Sequence, residues 1–342
     1  MKRMKLWGAV MIIAVLMLNP EETVSNAQRA MRIWYSSVAP TLFPFLVLMP
    51  MLTSREACMA YKTIFSRWMR PLFRLSGSAA PAVIAGLIAG SPGGAMTLQR
   101  VAASSDLTHA ETRRIALAMG GVSPAYLVMG VGQGLYGSVS VGIRLAIAQA
   151  CVQLLLLALL PDLPGDDVES FRMDEAGGYV APIAAAVEAI LGICGYMVFY
   201  SVVAGGLTSL IGRGIGDYLL LMMDLPSGLG VLAGKQISIK WMLQGAAVGF
   251  TGLCIISQNM NVLREMGIKW SSYLGIRLVS AAGMALSGLV MQGEWKPIEV
   301  NLQANLGKSY AFSLLTVGIS MIPGLIFLTK KLFLNKRRDQ NF

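Results

Sequence analysis

Residues 140–160 run for about 20 residues with one charged side chain, Arg144. Coiled at about 1.5 Å per residue, such a run matches the hydrocarbon thickness of a bilayer. One apolar helix could be buried in a soluble core, but similar runs recur along the chain. Of its 342 residues, 55% are hydrophobic and 13% charged, with mean hydropathy +0.62. Soluble domains carry about 25% charged residues, so this chain cannot coat a soluble surface. That excludes a cytosolic enzyme or nucleic-acid-binding domain as the main body. The net charge of +10, from 28 Lys+Arg against 18 Asp+Glu, has an ordinary source in cytoplasmic loops rich in Lys and Arg.

Walking the chain gives the expected topology. Residues 6–18, behind Lys2, Arg3 and Lys5, form a short apolar run read as an uncleaved anchor. The Ser25-Asn26-Ala27 site is a poor cleavage match and lies beyond it. Residues 29–35 are amphipathic, and residues 38–52 span, bent by Pro40, Pro44 and Pro50. Arg55, Lys62, Arg67, Arg70 and Arg74, mixed with Phe65, Trp68 and Phe73, suit an interfacial helix. Residues 79–101 are interrupted at Gly90-Ser91-Pro92-Gly93-Gly94 and have basic flanks on both sides. This reads as a re-entrant hairpin, tolerated only inside protein or beside a water-filled cavity. Residues 115–135 break at Gly120-Gly121-Val122-Ser123-Pro124, and 140–160 span unbroken. After the acidic linker 161–182, residues 183–211 span and 214–239 break at Asp224-Leu225-Pro226-Ser227-Gly228. Residues 241–263 are interrupted at Ser257-Gln258-Asn259, and 272–291 and 311–329 complete the set. The fold expected is an all-α polytopic membrane protein. It has about eight transmembrane helices plus two re-entrant hairpins, with both termini cytoplasmic, where most Lys and Arg fall.

The two halves repeat. Gly142-Ile143-Arg144-Leu145 recurs as Gly275-Ile276-Arg277-Leu278, and Pro92-Gly93-Gly94 as Pro226-Ser227-Gly228. Ser123 and Ser257 hold nearly the same offset. Three crossings between the copies make the repeat inverted, and broken helices meeting at mid-membrane are a secondary-transporter architecture. Freed backbone groups at such breaks can hold a polar solute. Gly and Pro also serve packing alone, and Ala82, Gly86, Gly90 and Gly94 form a small stripe suited to close helix contact.

Candidate substrate-binding residues are therefore Ser91, Pro92, Gly93, Gly94, Ser123, Asp224, Ser227, Gly228, Thr251, Ser257, Gln258 and Asn259. The hydroxyls could simply bond back to their own helices, whereas buried amides need partners. Asp224 is an acid within an apolar stretch, and ionisable residues at membrane depth are usually functional. A place at a hairpin tip near water would also account for it. Arg144 and Arg277, near helix starts, could snorkel to the interface. Enzymatic chemistry is not expected. The lone histidine, His109, lies in Thr108-His109-Ala110-Glu111, which has capping-box spacing. Gly132-Gln133-Gly134-Leu135-Tyr136-Gly137 has dinucleotide-fingerprint spacing, but no strand precedes it. Cys58, Cys151, Cys194 and Cys254 form no C-x-x-C pair and read as small buried hydrophobes. No metal or cofactor is expected.

Trp34 and the run Val38-Ala39-Pro40-Thr41-Leu42-Phe43-Pro44-Phe45 resemble the opening of the YlbJ-like sporulation integral membrane protein family. Its nucleoside-recognition, or Gate, domain is resembled further along. Pro71-Leu72-Phe73-Arg74 and residues 86–95 look like its first hairpin, and Asp106-Leu107-Thr108 with Glu111 and Ser123-Pro124 continue the similarity. Thr251-Gly252-Leu253-Cys254 with Gln258 resembles the second-half motif. The similarity covers residues 34–290. The chain departs from the family where members tend to carry Tyr (here Ser91), Asn (here Gly120 and Gly121) and His (here Ile256). With the segments read above, the resemblance gives 1–37 (anchor and amphipathic helix), 38–160 (first Gate-like repeat), 161–182 (linker), 183–291 (second Gate-like repeat) and 292–342 (C-terminal helix and basic tail), the Gate-like label alone being taken from it. It also implies a plasma-membrane protein of a spore-former acting in spore cortex formation, in either of two ways. One is moving a nucleoside-like or other small polar solute. The other is acting as a non-transporting scaffold or assembly factor. The partners expected are the lipid bilayer, a small polar solute, and a second copy of the chain or other sporulation membrane proteins, with no nucleic acid.

Overall fold

The computed structural model describes residues 2–161 and 180–290, and all regular elements among them are helical. The segment expected to anchor the chain forms α1 (Lys2–Leu18). Pro20 opens α2 (Pro20–Ile33) at a position where its missing N–H costs nothing. A π-helical turn, Trp34–Val38, carries α2 into α3 (Ala39–Leu52), which holds Pro44 and Pro50 in its interior. Ser54 caps α4 (Arg55–Phe73) by accepting from the Ala57 N–H, and α4 turns 86° away from α3. It leaves Met59, Trp68 and Leu72 exposed among its basic residues, as an interfacial helix requires.

The chain next folds α5 (Ala80–Ile88) and α6 (Gly93–Ser104) into a hairpin around the expected break. A Cβ on Gly94 would lie 2.7 Å from the Gly86 Cα, so no larger residue fits there. The small stripe therefore straddles the break and packs one arm on the other, instead of lining one helix face. α7 (His109–Ala118) opens with the capping box: Thr108 Oγ accepts from Glu111 N–H, and Glu111 from Thr108 N–H. A break at residues 119–123 leads to the π-helical segment Tyr126–Leu135 and then α8 (Val139–Leu159).

The second half repeats this order. After α9 (Val180–Ile211), α10 (Arg213–Met223) and α11 (Leu225–Ala233) make a second hairpin, where a Cβ on Gly228 would lie 2.2 Å from the Leu221 Cα. Gly94 and Gly228 thus hold the same place in the two copies. α12 (Lys240–Phe250), α13 (Gly252–Leu263) and α14 (Trp270–Val290) follow.

Among the described residues, four helices are long and apolar enough to cross a membrane: Val139–Leu159, Pro182–Ile211, Lys240–Leu263 and Trp270–Leu289. The bent α3–α4 pair would make a fifth. This describes a helical membrane protein with fewer full spans than the eight expected. The breaks are the reason, since α5, α6, α7, α10 and α11 are only 9 to 12 residues long and a span needs about 20. The span expected at 311–329, the segment 292–342 and nearly all of the linker 161–182 lie outside the described residues.

Another expectation is corrected. Residues 241–263 break not at Ser257-Gln258-Asn259 but at Thr251 and Gly252, whose φ angles are 71° and 76°. Gly252 supplies the left-handed backbone a sharp break needs, while polar side chains can stay helical where partners reach them. This broken helix is the most interior: 72% of its apolar window is buried, against 33%, 22% and 28% for the others. It approaches α14 through Gly245-Ala246-Ala247-Val248-Gly249, a small-xxx-small pattern. Cβ atoms on Gly245 and Gly249 would fall 2.2 and 2.4 Å from the carbonyl oxygens of Met284 and Ser280. Cys58 and Cys254 are buried as expected, but Cys151 is exposed and Cys194 half-buried, because they lie on faces of α8 and α9 that no described helix covers.

Candidate solute site at the helix breaks

In each half, the hairpin break meets the broken-helix break. Gly90, at φ 64°, sits so close that a Cβ would lie 2.4 Å from Ser123 N, and Ser91 N–H donates to Gly121 O at 2.8 Å. In the other half a Cβ on Gly252 would lie 3.3 Å from Leu225 N, next to Asp224. Helix ends leave N–H and C=O groups without intrahelical partners, so both junctions concentrate polar backbone inside an apolar protein.

Side chains from three helices converge on the first junction. Asn259 of α13 donates to Ser91 Oγ at 2.8 Å and to the Tyr273 hydroxyl. Gln149 of α8 accepts from Val122 N at 3.0 Å and donates to Val122 O at 2.6 Å, reproducing a backbone pairing. Arg277 of α14 donates through Nη2 to Leu117 O at 2.7 Å and Ala118 O at 3.4 Å, the last carbonyls of α7. Contrary to the snorkelling expectation, Arg277 is fully buried, whereas its repeat mate Arg144 is exposed. The difference lies in packing: the close α12–α14 contact presses α14 inward. A small pocket of about 10 Å³, room for about one water, opens among Gly94, Met119, Gly120, Asn259 and Tyr273. Several buried polar atoms here have no partner among the described residues: Asn259 Oδ1, both amide atoms of Gln153, and Nε and Nη1 of Arg277.

The second junction centres on Asp224, which is 5% exposed and accepts from Ser227 Oγ at 2.7 Å, with Ser201 beside it. Thr251 lies at the strained break and donates to its neighbour Phe250 O. Ser257 pairs with the Tyr200 hydroxyl at 2.5 Å. Among the described residues, Gln258 donates to the Cys254 sulfur, one turn back at 3.3 Å. Gly228 closes the hairpin, as Gly94 does in its own copy.

The expected residues therefore fall into two clusters. Ser91 and Asn259 meet at the first junction, with Ser123 alongside, capping the π-helical segment through Tyr126 N at 3.3 Å. Pro92 and Gly93 shape its hairpin, and Gly93 turns towards Leu42 of α3. Asp224, Ser227, Gly228 and Thr251 gather at the second. α13 links them, starting beside Leu225 and reaching Ser91 through Asn259. Seven residues at about 1.5 Å each put the clusters about 10 Å apart along its axis. Gln258 and Asn259, expected to act together, point to different surroundings because neighbours on a helix face different ways. Sequence reasoning missed Gln149, Gln153, Tyr273 and Arg277. The available signal was polar residues four apart in an otherwise apolar span, and a cation within a helix.

With that geometry in place, the chain can be compared with known proteins. It is similar to the sporulation integral membrane protein YlbJ. That protein, from Bacillus subtilis (strain 168), is 19% identical over 333 residues, with 84% of this chain and 81% of that one covered. This agrees with the motif resemblance and with an integral membrane protein. No family model matches the chain, and no solved structure matches it.

Proposed function

We propose that the chain is a sporulation-associated plasma-membrane protein that binds and moves a small polar solute at its helix breaks, in a Gate-like inverted repeat. The two hairpins then re-enter the membrane, both termini face the cytoplasm, and the protein performs no chemical step. The observation that carries this reading is the first junction. Backbone ends from two breaks meet Asn259 and Tyr273 from the opposite half there, and buried polar atoms have no partner among the described residues. Leaving one such atom unsatisfied costs about 1–3 kcal/mol, a penalty that a bound solute would remove. The likeness to YlbJ supports the sporulation context. Asp224, at the second junction, supplies a protonatable group for coupling.

One observation favours a scaffold instead: the pocket holds about one water, so a larger solute needs the junction to open. Complementation of a strain lacking the protein separates the two readings, scoring spore heat resistance beside membrane abundance by immunoblot. Transport predicts that Asn259→Leu and Asp224→Asn each abolish resistance at normal abundance. Full complementation by both variants refutes the solute site and leaves the scaffold.

A further inference from the structure

We infer that α4 is a recognition surface for anionic phospholipid, with its arginines taking the headgroup phosphates and its outer apolar edge the acyl chains. The turn of 86° sets α4 nearly perpendicular to α3, the attitude of a helix lying along a bilayer surface that its neighbour enters. Its inner side is fixed. Ala57, Cys58, Tyr61 and Met69 are buried against the protein. A Cβ on Gly77 would come within 2.6 Å of Lys62 O and Ser66 N, so the helix has no room to roll. What α4 turns outward is therefore set by the fold.

At about 3.6 residues per turn, that outward side divides lengthwise. Ile64, Trp68 and Leu72, four apart, form an apolar edge whose residues are 43%, 53% and 60% exposed. The Trp68 ring is steadied by Phe65, with centroids 6.0 Å apart, and an exposed indole suits the headgroup level. Arg67, Arg70 and Arg74, spaced by three and four, form an exposed basic ridge beside that edge. Lys62 is paired with Asp106, and Arg74 donates to the Leu160 carbonyl at 3.0 Å. Arg67 and Arg70 meet no carboxylate among the described residues. Guanidinium groups grip phosphate oxygens through paired N–H groups. A phosphatidylcholine headgroup carries its own ammonium and is neutral, whereas phosphatidylglycerol leaves its phosphate charge for the arginines. The spanning helices need a bilayer beside them, so lipid is the partner that meets both edges of α4 at once.

The test is fluorescence quenching of the full-length protein in phosphatidylcholine vesicles that contain either brominated phosphatidylglycerol or brominated phosphatidylcholine. Subtracting the signal of Trp68→Phe isolates Trp68. Quenching should set in at a several-fold lower mole fraction of the brominated phosphatidylglycerol, and added sodium chloride should narrow that gap. Each basic residue near an anionic surface is worth about fivefold in association, so Arg67→Gln with Arg70→Gln should erase most of the preference. Arg67→Lys with Arg70→Lys should keep much of it. Equal quenching by the two lipids in the unmodified protein overturns the assignment, whatever the variants do. An undiminished preference in the double Gln variant overturns the role of the ridge. Sodium phosphate that abolishes the preference when sodium chloride of equal ionic strength does not would reject lipid in favour of free phosphate. Trp68 left unquenched by either lipid also overturns the assignment and gives the face to a protein partner.

Discussion

Gly249→Ala tests the packing on which the first junction depends. The added Cβ would sit 2.4 Å from the Ser280 oxygen and 2.8 Å from the Ala281 Cα, about 1 Å inside ordinary contact distance. Both atoms are backbone of α14, so no side chain can swing away. The helices must part by about that distance. A gap of 0.5–1 Å forfeits a quarter to a half of each contact well of about 0.1–0.2 kcal/mol, and over tens of contacts the loss reaches about 1–3 kcal/mol, the usual range for overpacking. Alanine regains about 1 kcal/mol of helix propensity, which leaves a net loss of about 1–2 kcal/mol. In a bilayer no hydrophobic force between helices makes up the difference. Gly275→Ala on α14 is the matched control, since nothing lies within 4 Å of its Cβ position, and it should be neutral or stabilising. Denaturation of both purified variants in detergent gives the comparison. Equal stability of Gly249→Ala and Gly275→Ala would refute the close-approach argument.

Thr108→Ala removes the capping box of α7 and should lower stability by about 1 kcal/mol, read from the same unfolding curves. Asp106 is held below the usual carboxylate range mainly by its hydrogen bond from Lys62, which together with a weaker one from Ser78 outweighs the opposing effect of burial. Its stabilisation is therefore present above the unfolded carboxylate pKa and lost as pH falls through the lower folded value. A Tm series in acid should show that limb flattened in Asp106→Asn; an unchanged limb would show that the Lys62 contact contributes nothing. The complementation result for Asn259→Leu and Asp224→Asn completes the set.

The sequence alone determined the class and much of the segmentation. Runs of apolar residues are read one by one, because each must satisfy its own backbone in lipid as a helix. Proline and glycine mark breaks by local backbone rules, so Gly90-Ser91-Pro92 and Asp224 were legible, as was the capping box at Thr108. The repeat was read from three landmarks at nearly one offset: Gly-Ile-Arg-Leu at 142 and 275, Pro92 with Pro226, and Ser123 with Ser257. Local rules failed where a residue's meaning lies in what faces it. The break at Thr251 was misplaced to Ser257-Gln258-Asn259, because polarity resembles a break until partners such as Tyr200 and Ser91 are seen to hold those side chains inside a helix.

Tertiary structure alone decided which polar residues share a site. Identical Gly-Ile-Arg-Leu segments gave an exposed Arg144 and a buried Arg277, since α14 is drawn against α12 by Gly245 and Gly249 while α8 keeps an outward face. The same packing carries Tyr273 to Asn259, and the fold of the first half carries Ser91 there across 168 residues of chain. A sequence records each residue's chemistry. Its surroundings, and hence whether a cation is solvated, lipid-facing or enclosed beside free helix ends, come from the close approach of elements far apart in the chain.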